Sequence, residues 1–375
     1  SMLDFTEIFS LDNLFGNNND SSNPIMWLVW IVPIVIFVFY GQRIQLMVTS
    51  SEINKGIEKL YQYKEYTRKE LLGYLENKSS DDNTKRIDSY LEYFTIMPVD
   101  LDPTGIMPKI KHLLRSREEY TKSQVLKLGK NLTPLETSKI QNLLEVVTTL
   151  NLLHKVVRHL FLTAKKQNNF PLILPLQMML PFVMEQAEAL RAAVSALKAG
   201  QPLGDGIGPM VVGKMMLSLE KKPIGLETVY AESVIEDRRI ILLKAEGPSA
   251  TVGRPGDAVE LLVAQKKPDL IIMIDAGVKM EGENSGTIAQ GFGAAIGGIG
   301  TDRFQIEEIA TQNKIPIYSI VIKQTIKEAI TLMTKEIAEK AEEVESQIRN
   351  MIKENTKTGQ TVLVIGVGNT LGVPQ

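Results

Sequence analysis

The stretch PDLIIMIDAG, residues 268–277, decides the fold. Its apolar residues follow one another without alternation, which is typical of a strand buried on both faces of a parallel sheet. RRIILLKA, IPIYSIVIK and TVLVI contain similar runs in the second half of the chain. Amphipathic helical segments stand between most of these strands. The order predicts an α/β fold, with a mostly parallel sheet covered by helices on both faces.

Ligands of such sheets bind beyond the carboxyl ends of the strands, and three loops are expected there. GQPLGDGIGP (200–209) carries Asp205, a second glycine-rich loop starts with Asp275 at the end of the 268–277 strand, and GVGNTLG (366–372) follows the last apolar run. Asp205 and Asp275 are the candidate functional acids, because each follows or interrupts apolar backbone at the same edge of the sheet. The predicted ligand-binding residues are Gly204, Gly206, Gly208, Gly366, Gly368, Asn369, Thr287, Asp302 and Arg303.

Simpler interpretations of these loops stay open. Glycine-rich turns before helices suggest phosphate binding, but the spacing here is not G-x-G-x-x-G and no G-x-x-x-x-G-K-[ST] occurs. Asp302 is alternatively a cap for the helix FQIEEIA. Lys279 alternatively neutralises Asp275 in an ordinary salt bridge.

The N-terminal part contains IMWLVWIVPIVIFVFYG, residues 25–41, without a charged side chain. As a helix it would be about 25 Å long, near the lower limit for crossing a bilayer. A signal peptide would need a basic start and a small-residue cleavage site, and a buried helix this apolar is unusual near a terminus. We therefore predict a membrane span at the cell membrane. The residues before it are acidic, whereas several basic residues follow, so the positive-inside rule places the N-terminus outside and the remainder in the cytoplasm.

This pattern divides the chain into an extracytoplasmic segment (1–24), a span (25–41), a helical domain (44–199) and an α/β domain (200–375). Within the helical domain we expect a loop at residues 79–86, a proline-rich break at 97–108 and a helix that Thr133 caps. Residues 170–183 predict a core or interface helix rather than a second span. Residues 325–357 predict one long helix.

The composition excludes several functions. The net charge is −2, which gives no reason to expect nucleic acid as a partner. There is no cysteine, which rules out disulfides, thiolate metal sites and a cysteine nucleophile. The three histidines are His112, His154 and His159, all in the first half. We predict no cofactor.

Placed one after the other, GVGNTLG and GDGIGPMVVGKM resemble the motif that opens the hydrogenase maturation endopeptidases, in which a G-x-G-N strand end precedes an acidic loop. KPDLIIMIDAGVKMEGENSGTIAQ, GIGTDR and KIPIYSIVI are similar to the germination protease of bacterial spores, from the same superfamily. The likeness covers roughly residues 200–335 and 361–372. The whole chain resembles an uncharacterised archaeal membrane-protein family, a domain of unknown function.

The resemblance implies a phosphorylase/hydrolase-like fold of the hydrogenase-maturation-protease type. It also implies a circular permutation, because the strand that comes first in those enzymes stands last here. Asn369 should then lie beside Asp205, 164 positions away. In the relatives the positions of Asp205 and Asp275 are acidic, and they bind nickel in one branch and form a catalytic pair in the other. The resemblance therefore implies that Asp205 and Asp275 are the catalytic carboxyl groups. No histidine follows His159 to complete a nickel site, so we predict no metal.

The sequence favours one function and leaves two alternatives. The favoured function is a non-catalytic assembly or binding role on the membrane, with the helical domain providing contacts in a homo-oligomer. The first alternative is an aspartic-type endopeptidase acting on a peptide or protein, in which one carboxylate activates water and the other protonates the amide. The second alternative is binding of a small molecule or nucleotide by the glycine-rich loops. The two carboxyl groups discriminate among them, because a scaffold needs neither.

Overall fold

The computed structural model describes residues 24–76, 82–94, 103–167, 170–297 and 300–374. The expected extracytoplasmic segment lies almost entirely outside these residues. The helices of the N-terminal half are α1 (Pro24–Glu76), α2 (Thr84–Leu91), α3 (Pro103–Leu128), α4 (Pro134–Lys166) and α5 (Phe170–Ala199). The C-terminal half has α6 (Ile207–Met215), α7 (Pro255–Lys266), α8 (Thr301–Gln312), α9 (Ile326–Ile330) and α10 (Lys335–Asn355). Its strands are β1 (Lys222–Pro223), β2 (Thr228–Ile235), β3 (Arg238–Ala245), β4 (Leu270–Val278), β5 (Ile288–Phe292), β6 (Ile317–Gln324) and β7 (Thr361–Gly366).

The predicted span is the first part of a much longer helix. We expected a boundary between residues 41 and 44, but α1 continues without interruption through Pro33 and Gly41 to Glu76. Among the described residues this is the one helix long and apolar enough to cross a membrane, and none of its apolar window is buried. Beyond Thr49 its inner face packs against α4 and α5, so one helix joins the candidate span to the helical core.

Two predicted loops of the helical half are partly wrong. α2 begins at Thr84, inside the expected 79–86 loop, and α3 begins at Pro103, inside the expected 97–108 break. Proline is favoured in the first turn of a helix, where its missing N–H has no partner to lose. The Thr133 cap is confirmed, since its hydroxyl accepts from Glu136 N and the Glu136 carboxylate accepts from Thr133 N.

The sheet is mixed, with strand order β1-β2-β3-β7-β4-β6-β5. Its central four strands are parallel, as their apolar runs predict, whereas β1, β2 and β5 are antiparallel. β7 is the last strand of the chain and lies between β3 and β4. Its place in the centre of the sheet agrees with the expectation that Asn369, three residues after this strand, lies beside Asp205.

Helices cover both faces of the sheet. On one face α6 and α10 pack against alternate residues of β3, β4 and β7. On the other face α7 and α8 pack against the intervening residues. Leu203 and Leu371 join the hydrophobic core of the helical half, so both ends of the α/β half are anchored there.

The predicted long helix at 325–357 is wrong, because α9 and α10 are separate. Residues 331–334 lie between them, and Leu332 forms an antiparallel bridge with Leu203. Met333 N donates to Pro202 O at 2.8 Å, and Gly204 N donates to Thr331 O at 3.1 Å. These tertiary hydrogen bonds replace the helical ones and fix the chain just before Asp205.

Candidate functional site

The two loops that carry Asp205 and Asn369 meet at the carboxyl ends of β4 and β7. Val367 N donates to Ile274 O at 2.8 Å, which continues the pairing of β7 and β4 into the loop. Asn369 N donates to Asp205 Oδ2 at 3.0 Å, across 164 positions of sequence. The predicted proximity of Asp205 and Asn369 is therefore confirmed.

The glycines of these loops allow backbone segments to approach closely. A Cβ at Gly208 would lie 2.4 Å from Val367 O and 2.5 Å from Ile274 O. A Cβ at Gly368 would lie 2.1 Å from Asp205 O, and φ there is +145°, which side chains disfavour. Gly204, Gly206 and Gly366 are similarly enclosed by backbone atoms. The space beside each of these five glycines is occupied by protein.

Asp275 ends the buried part of β4 and is itself buried. Its Oδ1 accepts from Ala276 N at 2.7 Å, and Gly297 N–H also donates to this carboxyl group. Burial and then the negative charge of Asp205 raise the pKa of Asp275 to about 8, against the effect of the two N–H donors. Asp275 therefore holds its proton at neutral pH.

Asp205 lies on the short 3₁₀ turn Gly204–Gly206 that leads into α6. The residue is half-buried, and burial raises the pKa of its carboxyl group, partly offset by the Asn369 N–H. The charge of Asp205 acts on Asp275, so the two carboxyl groups titrate as an interacting pair. We call them the carboxyl pair.

Neither member of the carboxyl pair forms an ion pair with a basic side chain of the described part of the chain. Lys279, the alternative partner considered for Asp275, instead donates to Glu283 O at 3.2 Å. The proposed salt bridge to Lys279 is therefore wrong. Buried carboxyl groups without a cation are costly to ionise, and such arrangements are concentrated at functional sites.

The remaining predicted residues lie around this centre with contacts of their own. Asp302 is in the first turn of α8, but its Oδ1 accepts from Gly256 N at 3.0 Å and so caps α7. Burial raises its pKa. Exposed Thr287 donates to Asn284 O at 2.6 Å, and Arg303 pairs with Glu307 at 3.4 Å. No described contact links Thr287 or Arg303 to the carboxyl pair.

Two polar residues beside the site were not predicted. Gln324 is buried at the end of β6, and its Nε2 donates to Gly204 O at 2.9 Å, while its Oε1 has no partner among the described residues. Thr370 is buried and its hydroxyl group contacts the carbonyl oxygens of Glu246, Ser249 and Thr251. The signal for Gln324 was its position as a polar residue at the carboxyl end of an apolar strand. No local sequence pattern indicated that Thr370 would be buried beside the site.

A cleft of about 940 Å³ separates α3 and α4 from the loops at the carboxyl edge of the sheet. Asn369 and Asp302 line the cleft, whereas Asp205 and Asp275 are not among its lining residues. Residues of α3 cross the cleft in ion pairs: Lys122 with Glu227 at 2.7 Å, and Glu118 with Arg254 at 2.7 Å. Lys111 and Arg115 pair with Asp257 in the same way.

Metal-binding groups are absent within the described ranges, where no three His, Cys, Asp or Glu side chains are grouped to hold an ion. What the site offers is two interacting carboxyl groups, one protonated at neutral pH, held by rigid backbone. Such a pair can donate and accept protons in one reaction.

Comparison with curated proteins gives no match. Two family profiles match the chain. One is the N-terminal domain of the protein of unknown function DUF1512, over residues 27–200, and the other is the C-terminal domain of DUF1512, over residues 203–374. Together they cover nearly the whole chain, from the candidate span through the terminal glycine loop. The chain therefore belongs to the DUF1512 family and contains both of its domains.

Proposed function

We propose that this protein is a membrane-anchored hydrolase of the aspartic endopeptidase type, with Asp205 and Asp275 as its acid–base pair. The observation that carries the proposal is the carboxyl pair itself. Two carboxyl groups interact at the carboxyl edge of the parallel strands, without a described cation, and the pKa of Asp275 is about 8. A scaffold gains nothing from keeping this arrangement, which costs stability when the groups ionise.

The chemistry follows from the different surroundings of the two groups. Asp275 is protonated at neutral pH and acts as the general acid, giving its proton to the leaving nitrogen. Asp205 is held by the Asn369 N–H, which stabilises its carboxylate, so it acts as the general base on water. The water oxygen attacks the carbonyl carbon of the amide, and collapse of the adduct breaks the C–N bond. The resemblance to the two endopeptidase groups supports this assignment.

The substrate class is a peptide or protein segment that enters through the large cleft. Asn369 connects the cleft to the carboxyl pair, because it lines the cleft and its N–H contacts Asp205. The apolar part of α1 anchors the protein, and the basic residues after it place the catalytic half in the cytoplasm. Association into a homo-oligomer belongs to the same proposal, with the helical half providing the contacts.

The two other functions have less support. Nucleotide binding by the glycine loops would need open space beside the glycines, but backbone atoms occupy it. A non-catalytic assembly role is compatible with the large helical half, yet it does not account for the carboxyl pair. It is the outcome expected if the following test fails.

The test is cleavage of a peptide library by the full-length protein in nanodiscs, followed by mass spectrometry from acid to alkaline pH. Asp205→Asn and Asp275→Asn should each lower cleavage by at least about 100-fold, since general acid–base catalysis contributes about 10²–10⁴-fold. Asp88→Asn, which alters an exposed ion pair with Arg68, is the matched control and should cleave normally. Equal cleavage by all four proteins, or no cleavage by the unaltered protein, would overturn the proposal in favour of an assembly role.

A further inference from the structure

The end of α4 and the start of α5 form a tip with an exposed apolar surface that the proposed hydrolysis does not use. The sequence FPLILPLQMMLPFVM, residues 170–184, has no charged side chain. Its inward residues Ile173 and Leu176 are buried in the helical core. On the outer face Leu174, Met178 and Met179 are exposed by 44%, 68% and 52%. This helix start is therefore apolar on both faces, which is unusual for a surface in water.

The position of this tip relative to the candidate span follows from the contacts between α1 and α5. Gln177 Nε2 donates to Glu52 Oε2 at 3.1 Å, and Lys198 pairs with Glu70 at 2.6 Å. Residue numbers rise together along both helices, so the helices run parallel. If both helices rise equally per residue, the start of α5 lies beside residue 45 of α1. The end of α4 lies at the same level, because only three residues separate α4 from α5.

The apolar surface of α1 extends to the same level. Residues 25–41 make about 25 Å of helix, less than the hydrocarbon core of about 30 Å. Beyond them Ile44, Met47 and Val48 are still exposed. The segment from Val29 to Val48 makes about 30 Å of helix, which matches the core thickness. If the hydrocarbon core ends at Val48, Leu174 lies at its edge, and Met178 lies about 6 Å farther out, among the headgroups.

The charges around the tip suit an anionic lipid surface. Arg43 on α1 and Lys165 and Lys166 at the end of α4 are exposed, and their backbone lies within about 8 Å of the edge of the hydrocarbon core, on its hydrocarbon side. Long basic side chains extend from apolar surroundings to lipid phosphates. The nearest carboxylates on α1 and α5 are Glu52 and Glu185, and both lie farther from the span than the tip does.

We propose that the α4–α5 tip is a second membrane contact, in which Leu174, Met178 and Met179 enter the interface of the bilayer that α1 crosses. Lys165 and Lys166 bind anionic headgroups beside them. The inference rests on the membrane anchorage in the proposed function and is independent of hydrolysis. Such a contact would fix the tilt of α1 and hold the helical half against the membrane.

The natural absence of cysteine allows a direct test with single-cysteine variants of the full-length protein. Leu174→Cys and Met178→Cys are labelled with an environment-sensitive fluorophore in vesicles of phosphatidylcholine with phosphatidylglycerol. Quenching by lipid-borne spin labels is compared with quenching by aqueous iodide. Val35→Cys in the span is the positive control, and Phe292→Cys, at a side chain 85% exposed on β5, is the negative control.

We expect labels at positions 174 and 178 to be quenched by the lipids and protected from iodide, unlike the label at position 292. Replacing Lys165 and Lys166 with glutamate should lower this quenching in anionic vesicles and leave it unchanged in phosphatidylcholine alone. Iodide quenching at 174 and 178 would overturn the proposal. So would protection that disappears when the protein is diluted in lipid, because a second copy would then cover the tip. Loss of lipid quenching at position 35 would instead show that the anchorage itself is wrong.

Discussion

Asp257 and Asp275 lie at the same edge of the sheet and have opposite electrostatic surroundings. Asp257, in the first turn of α7, accepts from Lys111, Arg115 and Gln305. Burial alone would raise the pKa of Asp257, but these partners lower it below its ordinary value. Burial and a neighbouring carboxylate raise the pKa of Asp275 to about 8. Partners, rather than burial, decide which carboxylate is structural.

The difference has a simple origin in the fold. Asp257 faces α3, whose basic side chains reach across the cleft. Asp275 accepts hydrogen bonds from the Ala276 and Gly297 N–H groups and lies near the negative charge of Asp205, and no cation of the described residues pairs with it. The ion-paired acid joins the two halves of the molecule, whereas the carboxyl pair has no cation partner among the described residues. The following predictions test this distinction, from the largest expected effect to the smallest.

The largest effect is expected for Asp275→Asn as a function of pH. The folded state holds the Asp275 proton up to about pH 8, whereas the unfolded chain releases it near pH 4. The stability that comes from this retained proton is present below pH 4 and is lost as pH rises toward 8. The variant should therefore match the unaltered protein near pH 4 and exceed its free energy of unfolding by up to about 5 kcal/mol at pH 8. Urea denaturation across this range measures it, with Glu354→Gln on the exposed face of α10 as control. A pH-independent difference would contradict the raised pKa.

Gly208→Ala should disrupt the arrangement that holds the carboxyl pair. The added methyl group would meet Val367 O and Ile274 O, which belong to backbone that cannot move independently. We expect a loss of about 3 kcal/mol in the free energy of unfolding, the upper end for overpacking. Gly291→Ala in β5 is the matched control, because nothing lies within 4 Å of its added Cβ. Equal stability of the two variants in thermal denaturation would mean that the two loops are not packed together.

Asp257→Asn should show the opposite pH dependence to Asp275→Asn. Because the pKa of Asp257 is lowered, its ion pairs with Lys111 and Arg115 stabilise the fold at pH values above the ordinary pKa of an aspartate. This stabilisation disappears as pH falls through the pKa of Asp257 in the folded state. Since these side chains are partly exposed, the loss at neutral pH should be about 1–2 kcal/mol and should vanish in acid. Urea denaturation at neutral and acid pH measures it. A loss that grows in acid would refute the structural assignment of Asp257.

The smallest effect is expected for Arg303→Ala. Arg303 is exposed, and its one described ion pair is with Glu307 on the same helix. Its removal should change the free energy of unfolding by no more than about 0.5 kcal/mol. Cleavage of the peptide substrate should keep the same kcat and KM. A raised KM with unchanged stability would show that Arg303 contacts the substrate after all, as the sequence suggested.

The sequence predicted most of the elements that carry the site. The continuous apolar runs of β3, β4, β6 and β7 indicate strands because their side chains must be buried on both faces, and this property is local. The positions of Asp205, Asp275 and Asn369 at the ends of apolar elements could also be recognised. The resemblance to the endopeptidases, which itself stays a prediction, led to the correct expectation that Asn369 lies beside Asp205.

The errors arose where tertiary contacts overrode local pattern. Residues 325–357 have helical periodicity, but the bridge between Leu332 and Leu203 interrupts the helix. Lys279 lies near Asp275 along the chain but pairs elsewhere.

By itself the sequence determined most element types, the apolar membrane candidate and the acid at the end of β4, because periodicity and composition act over a few neighbouring residues. The tertiary structure alone decided which acid has a cation and which has another acid. The groups that set the pKa values of Asp257 and Asp275 come from positions far away in sequence, such as Arg115, 142 residues from Asp257. Electrostatic energy depends on distance in space and on burial, and folding fixes both.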